Sequence, residues 1–265
     1  VLTSTATVLR QSALAGFADY AILYTPRSWT FGWLGRVLCQ VAFFALIGRL
    51  LGSPEAEHSL LVGNAVMMAA VDSLFVVSST TWERRAGTLP LLVCSPTSPL
   101  LVFTGRSVQW VVSGTATTLI SLFGLGLLFG VPMATPAALA AVPLVALVST
   151  ATYFFGLTLG ALVLRAMELR IVVNNVIQLV MMAICGVQVP VEFWPRWVEY
   201  VATVLPVTHG LAAVRTALAG GPAGRVAAEG ALEAAVAAGW LVLAGLVFDR
   251  LAERGRRDGS IEFGD

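Results

Sequence analysis

The chain has 265 residues, 57% of them hydrophobic and only 12% charged, with a mean hydropathy of +0.85, far above the roughly half apolar content of a soluble domain. That excludes a soluble globular protein, and the net charge of +1, with all 16 basic residues arginine, excludes a polyanion-binding surface, so no nucleic-acid partner is expected. Cys39, Cys94 and Cys185 each stand alone in apolar surroundings without a second ligand at metal spacing; they read as packing residues, and no metal site is expected.

Residues 3–27 come first, and they read as an amphipathic helix. Ser4 or Thr5 can cap it, Leu9, Ala13, Phe17, Tyr20 and Tyr24 form one stripe, and Pro26 is expected to stop it on the inner membrane face. A crossing helix needs about 20 mostly apolar residues. Segments 29–51, 60–80, 100–130, 136–164, 171–189 and 232–248 meet that need, so the expected fold is an all-α integral membrane protein with six transmembrane helices. The first span is expected to act as its own insertion signal, without a cleaved leader. The third and fourth spans exceed the bilayer and should tilt, with Pro132 and Pro136 setting the turn between them.

Segment 81–99 interrupts the apolar chain with a charged, turn-rich insert. Segment 190–221 is too polar and too broken by Pro190, Pro195 and Pro206 to span, yet too apolar for a solvated loop. It reads as two short outer re-entrant helices, one with Trp197, Val201 and Val204, the next with Leu211, Val214 and Leu218. His209 there is expected to be an interfacial polar residue. With both termini and the tail 249–265 inside, eleven arginines fall on the inner segments and four on the outer ones, the bias expected of cytoplasmic loops.

Arg36, Asp72 and Arg106 lie at a common depth of roughly 10 Å from the inner ends of their spans, counting 1.5 Å per residue. Asp72 can neutralise Arg36 or Arg106; alternatively each arginine snorkels to the headgroups and Asp72 meets a hydroxyl or water. Asn174, Asn175 and Gln178 near the inner end of the fifth span can hydrogen-bond a neighbouring helix or a substrate. The sequence carries no phosphate-binding G-x-x-x-x-G-K-[ST], no H-E-x-x-H and no paired aspartates for magnesium. No catalytic residue is expected, and Ser113 has no histidine within a span to activate it.

The stretch "WERRAGTLPLLVCSPTSPLLVFTGR", 82–106, resembles the loop after the second span of type 2 ABC exporter permeases, the drug-resistance and polysaccharide-export membrane subunits. Glu83, Arg84, Gly87, Thr88, Leu89, Leu91, Leu92, Pro96, Gly105 and Arg106 match it, and Pro90 departs from it. A second stretch, "ICGVQVPVEFWPRWVEYVATVLPVTHGLAAVR", is similar through Gly186, Pro190, Trp194, Pro195, Trp197, Leu205, Pro206 and Arg215.

The resemblance implies a bacterial plasma-membrane exporter built from two permeases, identical or homologous, and two separate ATPase subunits that bind ATP and Mg; no cofactor is expected in this chain. It further implies that Trp82, Glu83, Arg84, Arg85, Gly87 and Thr88 contact the ATPase through a short helix capped by Thr80 or Thr81. The implied cargo is an amphipathic drug, antibiotic or lipid moving past Phe31, Trp33, Asn174, Asn175 and Gln178. A lipid-linked polysaccharide is the alternative cargo, for which Trp110 and Phe123 would join Phe31 and Trp33 as lining rings. An ion-driven carrier or a membrane lipid enzyme fits less well.

Overall fold

The structure is a computed structural model that describes residues 5–85, 98–131, 135–164 and 166–258, with side chains described except at 81–85, 135–138, 167 and 255–258. Gly87 and Thr88 lie outside the described residues, and so does Pro132. Every regular element among the described residues is helical, as an apolar chain requires where backbone N–H and C=O groups must find partners within their own segment. Helix α1 is Thr5–Leu23 and α2 is Gly35–Leu50, the latter entered through a π-helical stretch, Ser28–Leu34. Helix α1 ends at Leu23, just ahead of the expected stop at Pro26. That proline stands at the start of the next helix, where a missing N–H costs nothing, and Thr25 accepts from the Ser28 N–H at 3.2 Å as its cap.

Helix α3, Pro54–Ser73, begins six residues before the expected 60, because Ser53 caps it by accepting from the Ala56 N–H and Pro54 sits in its first turn. A break at Leu74 and Phe75 separates it from α4, Val76–Arg85. The third span is likewise two pieces, α5 (Pro99–Ser107) and α6 (Gln109–Leu128), and α7 is Thr135–Val163. Helix α8, Arg170–Ile184, is only 15 residues long and stops short of the expected 189. The chain turns there at Gly186, whose φ of +79° a residue with a side chain rarely adopts. Then follow α9 (Arg196–Val204), α10 (Thr208–Leu218) and the 36-residue α11 (Ala223–Asp258), which outruns the expected 232–248 in both directions.

Among the described residues five helical stretches are long and apolar enough to cross a membrane: Ser28–Leu50, Pro54–Thr80, Pro99–Leu128, Leu139–Val163 and Ala223–Arg254. The pair α9 and α10, bent by 85°, can count as a sixth, and α8 is a shorter apolar helix beside them. Helix α3 is the axis of the bundle. It packs against α2, α6 and α7, and every residue from Leu61 to Ser73 is buried. A helix apolar all round can lie in a core or in lipid, and neighbours on several sides put this one in the core. Helix α2, by contrast, buries Val37, Val41, Ala45 and Gly48 on one face and leaves Phe43, Leu46 and Leu50 outward, as a lipid-facing helix does.

Helix α4 seats on α7 through small residues. A Cβ at Gly160 would meet the Thr80 hydroxyl side chain, and one at Gly156 would meet the Val76 side chain; the two glycines stand four apart, the spacing that lets membrane helices approach closely. Gly160→Leu is therefore expected to destabilise the detergent-solubilised protein by about 1–3 kcal/mol, the usual overpacking range. Gly124→Leu, which adds its side chain where nothing lies within 4 Å, should leave the thermal midpoint unchanged. Equal midpoints for the two variants would mean that α4 does not seat there.

Candidate functional site

The amino-terminal helix is held to the start of the third span by a close crossing. A Cβ on Gly16 would strike the Arg106 carbonyl, and a Cβ on Gly105 would strike the Ser12 side chain and the Leu9 carbonyl. Backbones that approach this closely bring their side chains together, and Arg106 Nη2 lies 2.6 Å from Asp19 Oδ2. Arg106 therefore pairs with the interfacial helix, where sequence reasoning offered Asp72. Asp19 is outside the apolar stripe of α1, and only the crossing shows what it faces.

Asp72, on the central helix, is 1% exposed. Its Oδ2 accepts from Ser113 Oγ at 3.1 Å and from Thr117 Oγ1 at 2.9 Å, both on α6. The Trp33 indole and the Arg36 charge also act on this carboxylate. Arg36 itself stacks on the Trp33 ring, 4.4 Å from its centroid, and bonds Gln40 at 3.3 Å. Of the expected inner charge cluster, Asp72 and Arg36 thus remain neighbours joined through Trp33, while hydroxyls supply the direct hydrogen bonds. Hydroxyl donors satisfy a buried carboxylate without bringing a second charge out of water.

The Ser113 hydroxyl has one hydrogen, which goes to Asp72, so the Tyr20 O–H at 2.9 Å and the Trp29 Nε1–H at 3.5 Å must donate to Ser113. The result is a directed chain from Tyr20 on α1, through Ser113 on α6, to Asp72 on α3. Around it Tyr20, Tyr24, Trp33, Phe75 and Trp110 form a continuous aromatic cluster with ring centroids 5.1 to 6.5 Å apart. Ser113 therefore has a structural use.

The helix expected to start at Thr80 or Thr81 starts at Val76 instead. Thr80 lies within it, buried, donating to the Val77 carbonyl at 2.9 Å, so Trp82, Glu83, Arg84 and Arg85 occupy the last turn of a continuous α4. The reason is that the second span resumes as helix directly after its break and carries the charged residues out on its own backbone. Phe31 points outward at 82% exposure, whereas Trp33 is packed in the aromatic cluster; Asn174, Asn175 and Gln178 lie on the peripheral α8, with Asn174 Oδ1 buried.

At the opposite end of the bundle, Arg215 on α10 donates to the carbonyls of Gly186 at 2.8 Å, Ser59 at 2.9 Å and Val187 at 3.3 Å, tying α3 and the α8 turn to the bent α9–α10 pair. Trp194 Nε1–H donates to the Ala183 carbonyl at 3.2 Å, Pro195 caps α9, Pro206 stands in the bend, and Trp197 is 70% exposed. Sequence reasoning missed Glu233, which lies at the start of the expected span 232–248. This side chain is fully buried, and its two oxygens accept from the backbone N–H of Val207 at 3.0 Å and of Gly210 at 2.9 Å. Glu233 of α11 thus caps the amino terminus of α10, where Val207 adopts a φ of +89°. A glutamate inside a long Ala-rich apolar stretch was the available signal.

A family model described as ABC-2 type transporter matches residues 18–219, most of the chain, including α2 to α10 and the end of α1. No curated protein matches the chain.

Removing the Glu233 cap has a graded expected effect. Glu233→Gln keeps one good acceptor, whereas Glu233→Leu leaves two buried N–H groups without partners, at about 1–3 kcal/mol each. Hydrogen exchange of the backbone through 205–212 should quicken modestly in the first variant and strongly in the second. Unchanged protection in the leucine variant would show that the bend is held by other contacts.

Proposed function

The chain belongs to the ABC-2 type transporter family, so it is a membrane transport subunit that works with a separate ABC ATPase rather than an enzyme by itself, and from that premise we propose that it exports an amphipathic drug, antibiotic or lipid. The single observation that carries the mechanism is the physical continuity of α1 with the core. The Gly16–Gly105 crossing, the Asp19–Arg106 pair and the Tyr20–Ser113–Asp72 chain join an interfacial helix to the last turn of α5 in the third span and to the central helix.

In this reading both termini are cytoplasmic, and two permeases stand side by side over two ATPase copies. The turn that carries Trp82, Glu83, Arg84 and Arg85, with Gly87 and Thr88 beyond it, is the ATPase contact. ATP-driven closure pushes this turn and α1. Because α1 is braced against α5 and, through hydroxyls, against α3, the push is delivered to spans as rigid bodies rather than lost in a loop. The re-entrant pair then opens or closes the far end. The packing of Trp33 counts equally against both cargoes, but Trp110, a lining ring only in the polysaccharide alternative, is buried in the aromatic cluster, which weighs against that cargo.

Gly105→Val should jam the α1–α5 crossing. The variant is expected to co-purify with its ATPase and to hydrolyse ATP, while ATP-driven uptake into inverted vesicles falls at least about tenfold, the equivalent of 1.4 kcal/mol of lost coupling. Glu83→Ala and Gly87→Pro should give the same uncoupled phenotype with insertion intact. Normal export by Gly105→Val would remove α1 from the mechanism. An unmodified protein that captures no ATPase, and whose transport ignores ATP, would overturn the whole reading.

A further inference from the structure

Between α11 and the bend joining α9 to α10 lies a groove of about 560 Å3, within the roughly 300–1,000 Å3 typical of small-molecule sites. Leu232, Val236, Trp240 and Leu243 line it from one face of α11, Val204 from α9 and His209 from α10. Gly239 also lines it, and a side chain added there would meet nothing within 4 Å, so open space lies over this glycine. The wall is fixed in place: Trp240 Nε1–H donates to the Val204 carbonyl at 2.9 Å, and its ring packs edge-on against Phe155 at 4.6 Å. Leu232 and Leu243 are 49% and 40% exposed, which leaves the trough open along its apolar side.

Its polar end is chemically definite. His209 Nδ1 lies 2.9 Å from Glu229 Oε2, with the two side chains only 17% and 23% exposed. An ionised carboxylate only accepts, so Nδ1 carries the hydrogen of this bond and Nε2 is the ring nitrogen left for a ligand. The pair carries one negative charge when the ring is neutral and none when it is protonated, so it is never positive. Glu233, one turn further along α11, has both oxygens engaged by backbone N–H groups. Neither Glu229 nor Arg225, exposed one turn before it, lines the groove; Glu229 stands behind the lining residue His209 and acts there through their hydrogen bond.

We propose that this groove binds an amphiphile whose apolar body lies along the Leu232–Leu243 face and whose protonated amine is held at the His209–Glu229 pair. The ammonium N–H donates to Nε2 and Glu229 balances its charge, while the Trp240 indole, three turns along α11, packs against the apolar body. An anionic head of the same length would meet a His209–Glu229 pair that is never positive, with no cation elsewhere in the lining. The assignment narrows the cargo class of the export reading and rests on that reading for its use in transport, but binding itself can be measured without the ATPase.

The test uses the purified full chain in nanodiscs and a diazirine-bearing dodecylamine as photoprobe, with labelled peptides mapped by mass spectrometry. Labelling is expected on α11 and the α9–α10 bend, displaced by dodecylamine and not by dodecyl sulfate. Gly239→Leu, which fills the trough without a clash, should cut labelling at least about fivefold. Glu229→Gln should erase the preference for amine over sulfate; if that variant fails to fold, Gly239→Leu still decides the matter. Labelling that ignores Gly239→Leu, or equal displacement by sulfate, would reduce the groove to ordinary lipid-facing surface. Displacement by phosphatidylethanolamine alone would make the occupant a resident lipid and overturn the cargo assignment. A site that behaves as expected in a protein that does not export would uphold the groove and remove the export reading.

Discussion

Asp72 sits on the most buried helix of the bundle, and a carboxylate there must find its hydrogen bonds inside the protein. That constraint organises the half of the molecule that carries α1. Hydroxyls of Ser113 and Thr117 supply the bonds, which sets the rotation of α6 against α3. Ser113 has used its hydrogen on Asp72 and can still accept, and Tyr20 of α1 donates to it. A polar group on one span thereby specifies the seat of a helix far away in sequence. Burying a charge among neutral donors gives direction and register at the cost of desolvation, a use for which buried polar groups are retained.

The same logic shapes the other end of the molecule. Glu233 and Arg215 each lie in a largely apolar neighbourhood, and the hydrogen bonds of the Glu233 oxygens and of the two Arg215 Nη atoms go to backbone groups rather than to an opposite charge. Glu233 supplies acceptors where a helix begins, and Arg215 supplies donors to carbonyls of α3 and of the α8 turn. The bent α9–α10 pair is possible only because of such supports, since non-helical backbone away from water needs partners from neighbouring elements. One result is a sharp bend pinned to the last span, with the His209–Glu229 pair and the Trp240 wall arranged beside it.

The breaks within spans show how local and non-local effects divide. The second span shows one apolar stretch in sequence, yet the helix is interrupted at Leu74 and Phe75, just past Asp72, and resumes as α4. The third is interrupted at Val108, next to Arg106 and the α1 crossing. Apolar content is indifferent to such breaks, because a bent helix and a straight one bury much the same side chains. The early stop of α8 was more legible, since Gly186 and Pro190 mark a turn, although continuous apolar residues up to Val189 concealed it.

What the sequence by itself determined is the class of molecule. Long apolar runs in a chain with few charges leave helices as the only available structure, and the prolines and glycines of 190–221 mark where spanning stops. The two motif stretches carried the family likeness without any structure, because they are local in the chain. Only the tertiary structure decided the partners. Asp19 meets Arg106 across 87 positions, Ser113 meets Asp72 across 41, and Glu233 reaches Val207 across 26. Those pairings depend on which helix faces pack together. Periodicity identifies an apolar face but does not say which neighbour covers it, and in a chain apolar on nearly every face the rare polar groups choose among neighbours only once the helices are assembled.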